Sequence, residues 1–198
     1  MGEKKYLDEI DRLFKKSPVV DFSSISRIIN NKKKVRGYTK QIVRNLLLNK
    51  KIKRLTKGCY TIHEEPSLAV FCFKPSYLGL QDAMSFYNLW EQETIPIIVT
   101  YRKIKPGLRK VFGMNVLIRR IDKKYFFGFD YARQGDFYFP VSDVEKTLID
   151  MLYFKQKMDP EVLNNFRKRI DRKKFKSYLK IYPRKFRKRV LEIYGREL

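Results

Sequence analysis

The side chains best suited to chemistry lie close together near the front of the sequence. Thr39, Lys40, Gln41 and Arg44 fall within one short stretch. Gln can pair bidentately with adenine, and Arg or Lys with guanine, when a helix presents them to the major groove of a duplex. Just ahead runs Lys32-Lys33-Lys34-Val35-Arg36, and Lys53, Arg54 and Lys57 follow. These cations suit phosphate contacts, which give affinity without reading sequence. The plain alternative is a solvated basic helix used for protein contacts. Clustering of the Lys run, the helix and the later basic turn favours the nucleic-acid reading.

Other candidates are weaker. Asp143, Glu145 and Asp150 could serve a metal-dependent nuclease, yet no strand presents spaced carboxylates with a following lysine. His63 is the sole histidine and has no evident partner in the sequence, and Gly107 and Gly113 stand alone rather than in a phosphate-cradling loop. Cys59 and Cys72 make neither a disulfide framework nor a zinc site. The expectation is a protein that is not an enzyme and uses no cofactor or metal. Tyr125-Phe126-Phe127 with Phe129 and Tyr131 could stack unpaired bases, but a half-buried hairpin explains them more cheaply. Near the end, Arg167, Lys168, Arg169, Arg172, Lys173, Lys174, Arg184, Lys185, Arg187, Lys188 and Arg189 form a candidate second basic surface. A solvated charged helix face is the simpler account of them.

The elements that must position these residues follow from periodicity. Tyr6, Leu7, Ile10, Leu13 and Phe14 recur at helical spacing, and Ser17-Pro18 ends that helix. Asp21 or Ser23 can cap a second, short helix through Ile25, Ile28 and Ile29, closed by Asn30 and Asn31. After Gly37, Thr39 can cap a third helix with Ile42, Val43, Leu46 and Leu47 inward and Lys40, Gln41, Arg44 and Asn45 outward. Residues 52–56 and 59–62 read as a hairpin across Lys57-Gly58. Three short helices and a hairpin with a basic tip is the order of a winged helix-turn-helix.

Glu64-Glu65-Pro66-Ser67 is the best boundary. Beyond it, residues 68–73 read as a strand and Leu80 through Trp90 as a helix led in by Tyr77-Leu78-Gly79. Residues 95–101 and 115–121 read as strands, and residues 125–131 and 136–141 as a hairpin. Ser142-Asp143-Val144-Glu145 fits a capping box opening a helix through Leu148, Met151 and Leu152. Three amphipathic helices follow, the first with Asp159 ahead of Pro160. The fold expected is α+β: a winged helix-turn-helix over 1–66, a mixed α/β domain over 67–158, and a basic helical region over 159–198 packed on it.

Composition agrees. Lys and Arg number 45 against 21 Asp and Glu, a net charge of +24 with an isoelectric point near 10.0. Self-repulsion on that scale is easiest to understand if a polyanion neutralises it, with anionic membrane the minor competitor. Residues 1–66 carry a net +10, residues 67–150 only +3, and residues 151–198 a net +11. Hydrophobic residues make up 43%, enough for a packed core rather than a disordered tail. No run approaches the roughly 20 apolar residues of a bilayer span, and residues 1–20 lack a secretory pattern, so a cytoplasmic location is expected.

Four segments, in order, resemble the AbiEi-like antitoxins. They are Arg54-Leu55-Thr56-Lys57-Gly58-Cys59-Tyr60, Tyr77-Leu78-Gly79-Leu80-Gln81-Asp82-Ala83-Met84-Ser85-Phe86-Tyr87, Ile97-Ile98-Val99-Thr100 with Arg119-Arg120-Ile121 and Phe127-Gly128, and Val141 through Asp150 with its Glu145-Lys146-Thr147-Leu148-Ile149-Asp150 core. The resemblance implies a transcriptional autoregulator and antitoxin of a type IV toxin–antitoxin pair. Its winged helix would bind double-stranded DNA at its own promoter, and its second, α/β domain would serve to counter a nucleotidyltransferase-like toxin. The very basic tail and short wing depart from typical members, leaving room for a stand-alone regulator. Sequence-blind nucleic-acid binding is the first alternative and the nuclease a second; the sequence leaves operator and oligomeric state open.

Overall fold

The computed structural model describes residues 2–30 and 37–194. Asn31 and the phosphate-contact candidates Lys32, Lys33, Lys34 and Arg36 lie outside the described residues. The fold is mixed α+β. The chain divides into two compact units, one of residues 1–72 with Lys110–Met114 and the other of residues 73–109 with 115–198. The main division falls after Cys72.

In the first unit, α1 (Gly2–Lys16), β1 (Val20–Asp21), α2 (Phe22–Asn30), α3 (Tyr38–Leu48), β2 (Lys53–Thr56) and β3 (Cys59–Thr61) follow in order. Tyr6, Ile10 and Phe14 of α1 recur one turn apart and meet Ile25 and Ile29 of α2 and Ile42, Val43 and Leu46 of α3 in one core. Asp21 caps α2, its carboxylate accepting from Ser24 N at 2.7 Å and from the Ser23 hydroxyl at 2.9 Å. Strand β1 was not foreseen. Its two residues pair antiparallel with β3, Val20 opposite Tyr60, giving a three-stranded sheet in the order β1-β3-β2. Two residues are too few to show a period.

Helix α3 starts differently from expectation. Its N-cap is Gly37, held at φ 97 in the left-handed region, and no side chain caps it. Thr39 is 5% exposed. It stands three residues before Ile42, four before Val43 and seven before Leu46, so the helical repeat places it on the inner face.

Residues Pro66–Phe73, which run up to the division, form a 3₁₀ segment and not a strand. A continuous apolar run has no period to separate the two. In the second unit, Ser76–Leu78, read as a helix lead-in, is strand β4. Helix α4 is short, Gln81–Phe86, and Asn88 at φ 51 takes the chain out of helical geometry. Then come β5 (Ile97–Thr100), β6 (Gly107–Val111), β7 (Met114–Arg120), β8 (Phe129–Gln134) and β9 (Phe137–Ser142). The sheet runs β6-β7-β5-β4-β9-β8. Its β4–β5 and β8–β9 pairs are antiparallel, and its β4–β9 and β5–β7 pairs parallel.

Helices α5 (Val144–Tyr153), α6 (Pro160–Arg169), α7 (Arg172–Leu179) and α8 (Arg184–Tyr194) complete it. Phe166, Ile170, Phe175, Leu179, Tyr182, Val190 and Tyr194 join Tyr77, Val99, Leu148 and Leu152 in one apolar cluster, so the basic helices belong to this unit's core. The capping box is displaced by one residue. Asp143 caps α5, accepting from Lys146 N at 2.7 Å, while Ser142 is buried at the end of β9 with its hydroxyl 2.8 Å from that of Thr147.

Gly128 allows the closest approach in this unit. It sits at φ +70, and a Cβ there would lie 2.9 Å from both Lys146 Cβ and Tyr178 Cε2. Gly128→Ala combines backbone strain with overpacking and is expected to lower unfolding free energy by about 2–4 kcal/mol in urea titrations. Gly58→Ala, with open space around its Cβ at φ +82, provides the comparison for strain alone.

Candidate nucleic-acid interface

The outward side of α3 is one continuous polar strip. Lys40, Gln41, Arg44 and Asn45 are all exposed and, with Leu48, line a shallow depression. Lys40 and Arg44 are one turn apart, as are Gln41 and Asn45 and then Arg44 and Leu48. Burial of Ile42, Val43 and Leu46 on the opposite side fixes this orientation. Thr39 is not part of the strip. Leu48, 69% exposed, is an apolar end to it that the sequence reading placed nowhere. An exposed leucine one turn beyond Arg44 is its only sequence signal.

The basic hairpin is split in its behaviour. Arg54 and Lys57 are exposed, Lys57 in the β2–β3 turn. Lys53 is half-buried and its ammonium pairs with Glu64, which follows β3. Gly58 O accepts from Phe22 N at 2.8 Å, tying the turn to the start of α2. The cationic tip is thereby held against the helical part of its own unit.

The second basic surface is also divided. Arg167 Nε donates to Tyr194 O at 2.8 Å, Arg169 donates to Tyr87 O, and Lys174 bridges Asp143 at 3.1 Å and Glu145 at 3.3 Å. These three hold the unit together. Lys188 lies 3.9 Å from Glu192, and Arg187 is half-buried. Lys168, Arg172, Lys173, Arg184, Lys185 and Arg189 are exposed. Lys176 and Lys180 are exposed as well, extending Arg172 at steps of four along α7, a spacing the sequence reading passed over.

The three carboxylates weighed for a nuclease are committed elsewhere. Asp150 Oδ2 accepts from the Tyr77 hydroxyl at 2.6 Å, and its other oxygen pairs with Lys146; all three side chains are 0% exposed. Burial pushes the Asp150 carboxyl up and the Lys146 ammonium down, and their mutual attraction opposes both shifts. Asp143 Oδ2 accepts from Tyr178 Oη at 2.8 Å, and Glu145 Oε1 accepts from Asp171 N at 2.7 Å. Among the described residues no three of His, Cys, Asp and Glu are grouped to hold a metal ion. The aromatic string is interior too. Tyr125 stacks on Tyr182 with centroids 4.2 Å apart, Phe126 and Phe129 pack on Tyr77, and Phe127 meets Tyr178. Tyr131 alone of the string is exposed.

No family model and no curated protein matches the sequence. Among solved structures, the crystal structure of the RV2827C protein from Mycobacterium tuberculosis is similar, with a TM-score of 0.53. The match covers 91% of this chain and 73% of that chain at 13% identity. The likeness is one of fold. No helix among the described residues is long and apolar enough to cross a membrane.

Two outcomes follow from the buried polar cluster. Lys146→Met leaves Asp150 charged and unpaired in the core and is expected to cost about 3–5 kcal/mol, whereas Lys146→Met with Asp150→Leu recovers much of that in thermal unfolding. Burial first, and then its bond to Asp143, push the Tyr178 phenol up to about 12. A raised folded-state value means stability present below pH 10 is lost between pH 10 and 12. Tyr178→Phe should therefore reduce the slope of that part of a stability–pH curve, to which Tyr77 and Tyr182, also raised by burial, contribute as well.

Proposed function

We propose that this protein is a DNA-binding regulator whose first unit is a winged helix-turn-helix, with α3 as its reading helix. The order α1-β1-α2-α3-β2-β3 and the small sheet that closes it support the assignment. The single observation that carries it is the two-sidedness of α3: an apolar side locked into the core of α1 and α2, and a side of Lys40, Gln41, Arg44 and Asn45 facing solvent. A major groove about 12 Å wide accepts such a helix. Arg44 and Lys40 then reach guanine edges and Gln41 an adenine edge, while Arg54 and Lys57 contact phosphates. Thr39, being buried, is left out of the reading set.

The exposed cations of the second unit add affinity without sequence. The resemblance of the ordered motifs to AbiEi-like antitoxins supports a narrower role. On that reading the chain represses its own promoter and opposes a nucleotidyltransferase-like toxin acting in the same system. Inside the cell, the partner of the first unit would be double-stranded DNA.

Binding measured by fluorescence anisotropy on promoter and random duplexes at matched salt tests this. Arg44→Ala is expected to weaken the preferred sequence by about 1–3 kcal/mol and random duplex far less. Arg54→Ala is expected to weaken both alike and to reduce the salt slope by about 1. Equal losses for Arg44→Ala on both duplexes would remove it from base reading. Wild-type binding as tight on random duplex as on promoter would instead assign a sequence-blind polyanion binder.

A further inference from the structure

Strand β8 is an edge of the six-stranded sheet, and among the described residues no strand pairs with its outer side. Which of its backbone groups face outward can be worked out. Tyr131 stands opposite Pro140, and proline has no N–H, so this pair cannot exchange the two bonds of a hydrogen-bonded pair. The alternation then turns the N–H and C=O of Phe129, Tyr131 and Arg133 away from β9. Tyr131 N agrees, donating at 2.7 Å to the carboxylate of its neighbour Asp130 rather than across the ladder.

Edge strands are normally blunted by charged side chains, lysine above all, by proline or by a bulge, and the two charges of β8, Asp130 and Arg133, are of opposite sign. Strand β8 has no lysine and no proline, and its register with β9 runs unbroken from Phe129–Ser142 to Gln134–Phe137. Two large aromatics stand out on this hairpin: Tyr131 is 59% exposed and Tyr138 61%. Charge makes the location unusual. In a chain of net +24, residues 125–145 contain no lysine, one arginine and four acids. Two such chains repel where their basic surfaces meet, and this hairpin is where they can approach.

We propose that β8 pairs antiparallel with β8 of a second copy about a two-fold axis at Ala132. In this register the outward N–H and C=O groups of Tyr131 meet those of Arg133 in the partner subunit, and the reverse, which joins two sheets into one. Tyr131 then lies opposite Arg133 of the partner subunit on one face. Arg133 stands opposite Tyr138 on β9 and its Nε donates to Gly135 O at 3.2 Å, which leaves the face of its guanidinium for the partner's Tyr131 ring. On the other face Asp130 comes opposite the partner's Gln134, whose amide replaces the Tyr131 N–H that the carboxylate gives up. A shift of one residue would set unlike faces together and is excluded for a symmetric pair. Interfaces favour Tyr and Arg, as here.

The pairing does not rest on the DNA reading and is measured without nucleic acid, by sedimentation equilibrium on the full chain. The wild type is expected to be a reversible dimer, and Y131K, which sets Lys against the partner's Arg133, to raise the dissociation constant at least about tenfold. Y131K/R133E, which places opposite charges across the axis in place of the like charges of Y131K, should return it to near the wild-type value. Register is read separately with A132C. At the axis the two Cα atoms would be about 4.5 Å apart, a non-hydrogen-bonded pair within disulfide reach, so oxidation should give a cross-linked dimer that the wild type does not. Circular dichroism checks that each variant folds. A wild type that stays monomeric to about 100 µM, a Y131K dimer as tight as wild type, or a dimer that A132C fails to cross-link would each overturn the proposal.

Discussion

Taking an ammonium and a carboxylate fully out of water costs several kcal/mol for each, so a buried pair persists only where every other bond around it is made. The second unit is organised around that requirement. Lys146 and Asp150 lie one helical turn apart on α5, and the Tyr77 hydroxyl from β4 fills the second oxygen of Asp150. The rings of Tyr77 and Phe127 flank the ammonium at 5.6 and 5.3 Å. Gly128 must lack a side chain because Lys146 and Tyr178 occupy the space. A sheet strand, the loop before β8 and two helices are thus tied to one charge pair.

The same cluster explains why the tail is not free. Lys174 and Tyr178 of α7 reach the Asp143 carboxylate, Lys174 also reaches Glu145, and Glu145 takes the Asp171 amide. Acids at the start of α5 therefore draw a strongly basic helix onto the core. Of a highly cationic segment, the residues that dock are those with acid or carbonyl partners, and the rest are left facing solvent. A large net charge and a folded structure coexist because neutralisation is local inside, while the remaining cations face solvent.

Much of the first unit was legible because its elements are amphipathic and short. Ile42, Val43 and Leu46 fix which way α3 faces, and Lys40, Gln41 and Arg44 follow from the helical repeat. The error at Thr39 has the same origin: its hydroxyl suggested a cap, but spacing to Ile42 and Val43 decided its side. Strand β1 was hidden by its length, and residues 66–73 by uniform hydrophobicity. Tyr77-Leu78 misled because a strand buried on both faces does not alternate. The aromatic string at 125–129 was expected in a hairpin strand over 125–131, but Tyr125 ends a 3₁₀ turn, Phe126 and Phe127 lie in the loop after it, and the strand begins only at Phe129. Its partners, Tyr178 and Tyr182, lie some fifty residues on and no local pattern points to them.

The stretch Glu145-Lys146-Thr147-Leu148-Ile149-Asp150, which carried much of the family resemblance, has a complete structural account. Glu145 satisfies the amide of Asp171 at the start of α7, Lys146 and Asp150 neutralise each other, and the Thr147 hydroxyl bonds Asp143 O and the Ser142 hydroxyl. Leu148 and Ile149 fill the core. Every side chain of the motif is buried, so none is presented to a partner. A sequence that keeps these residues in this order keeps the means to bury a charge pair under a sheet. The packing and hydrogen bonding of this unit therefore account for every residue of the motif.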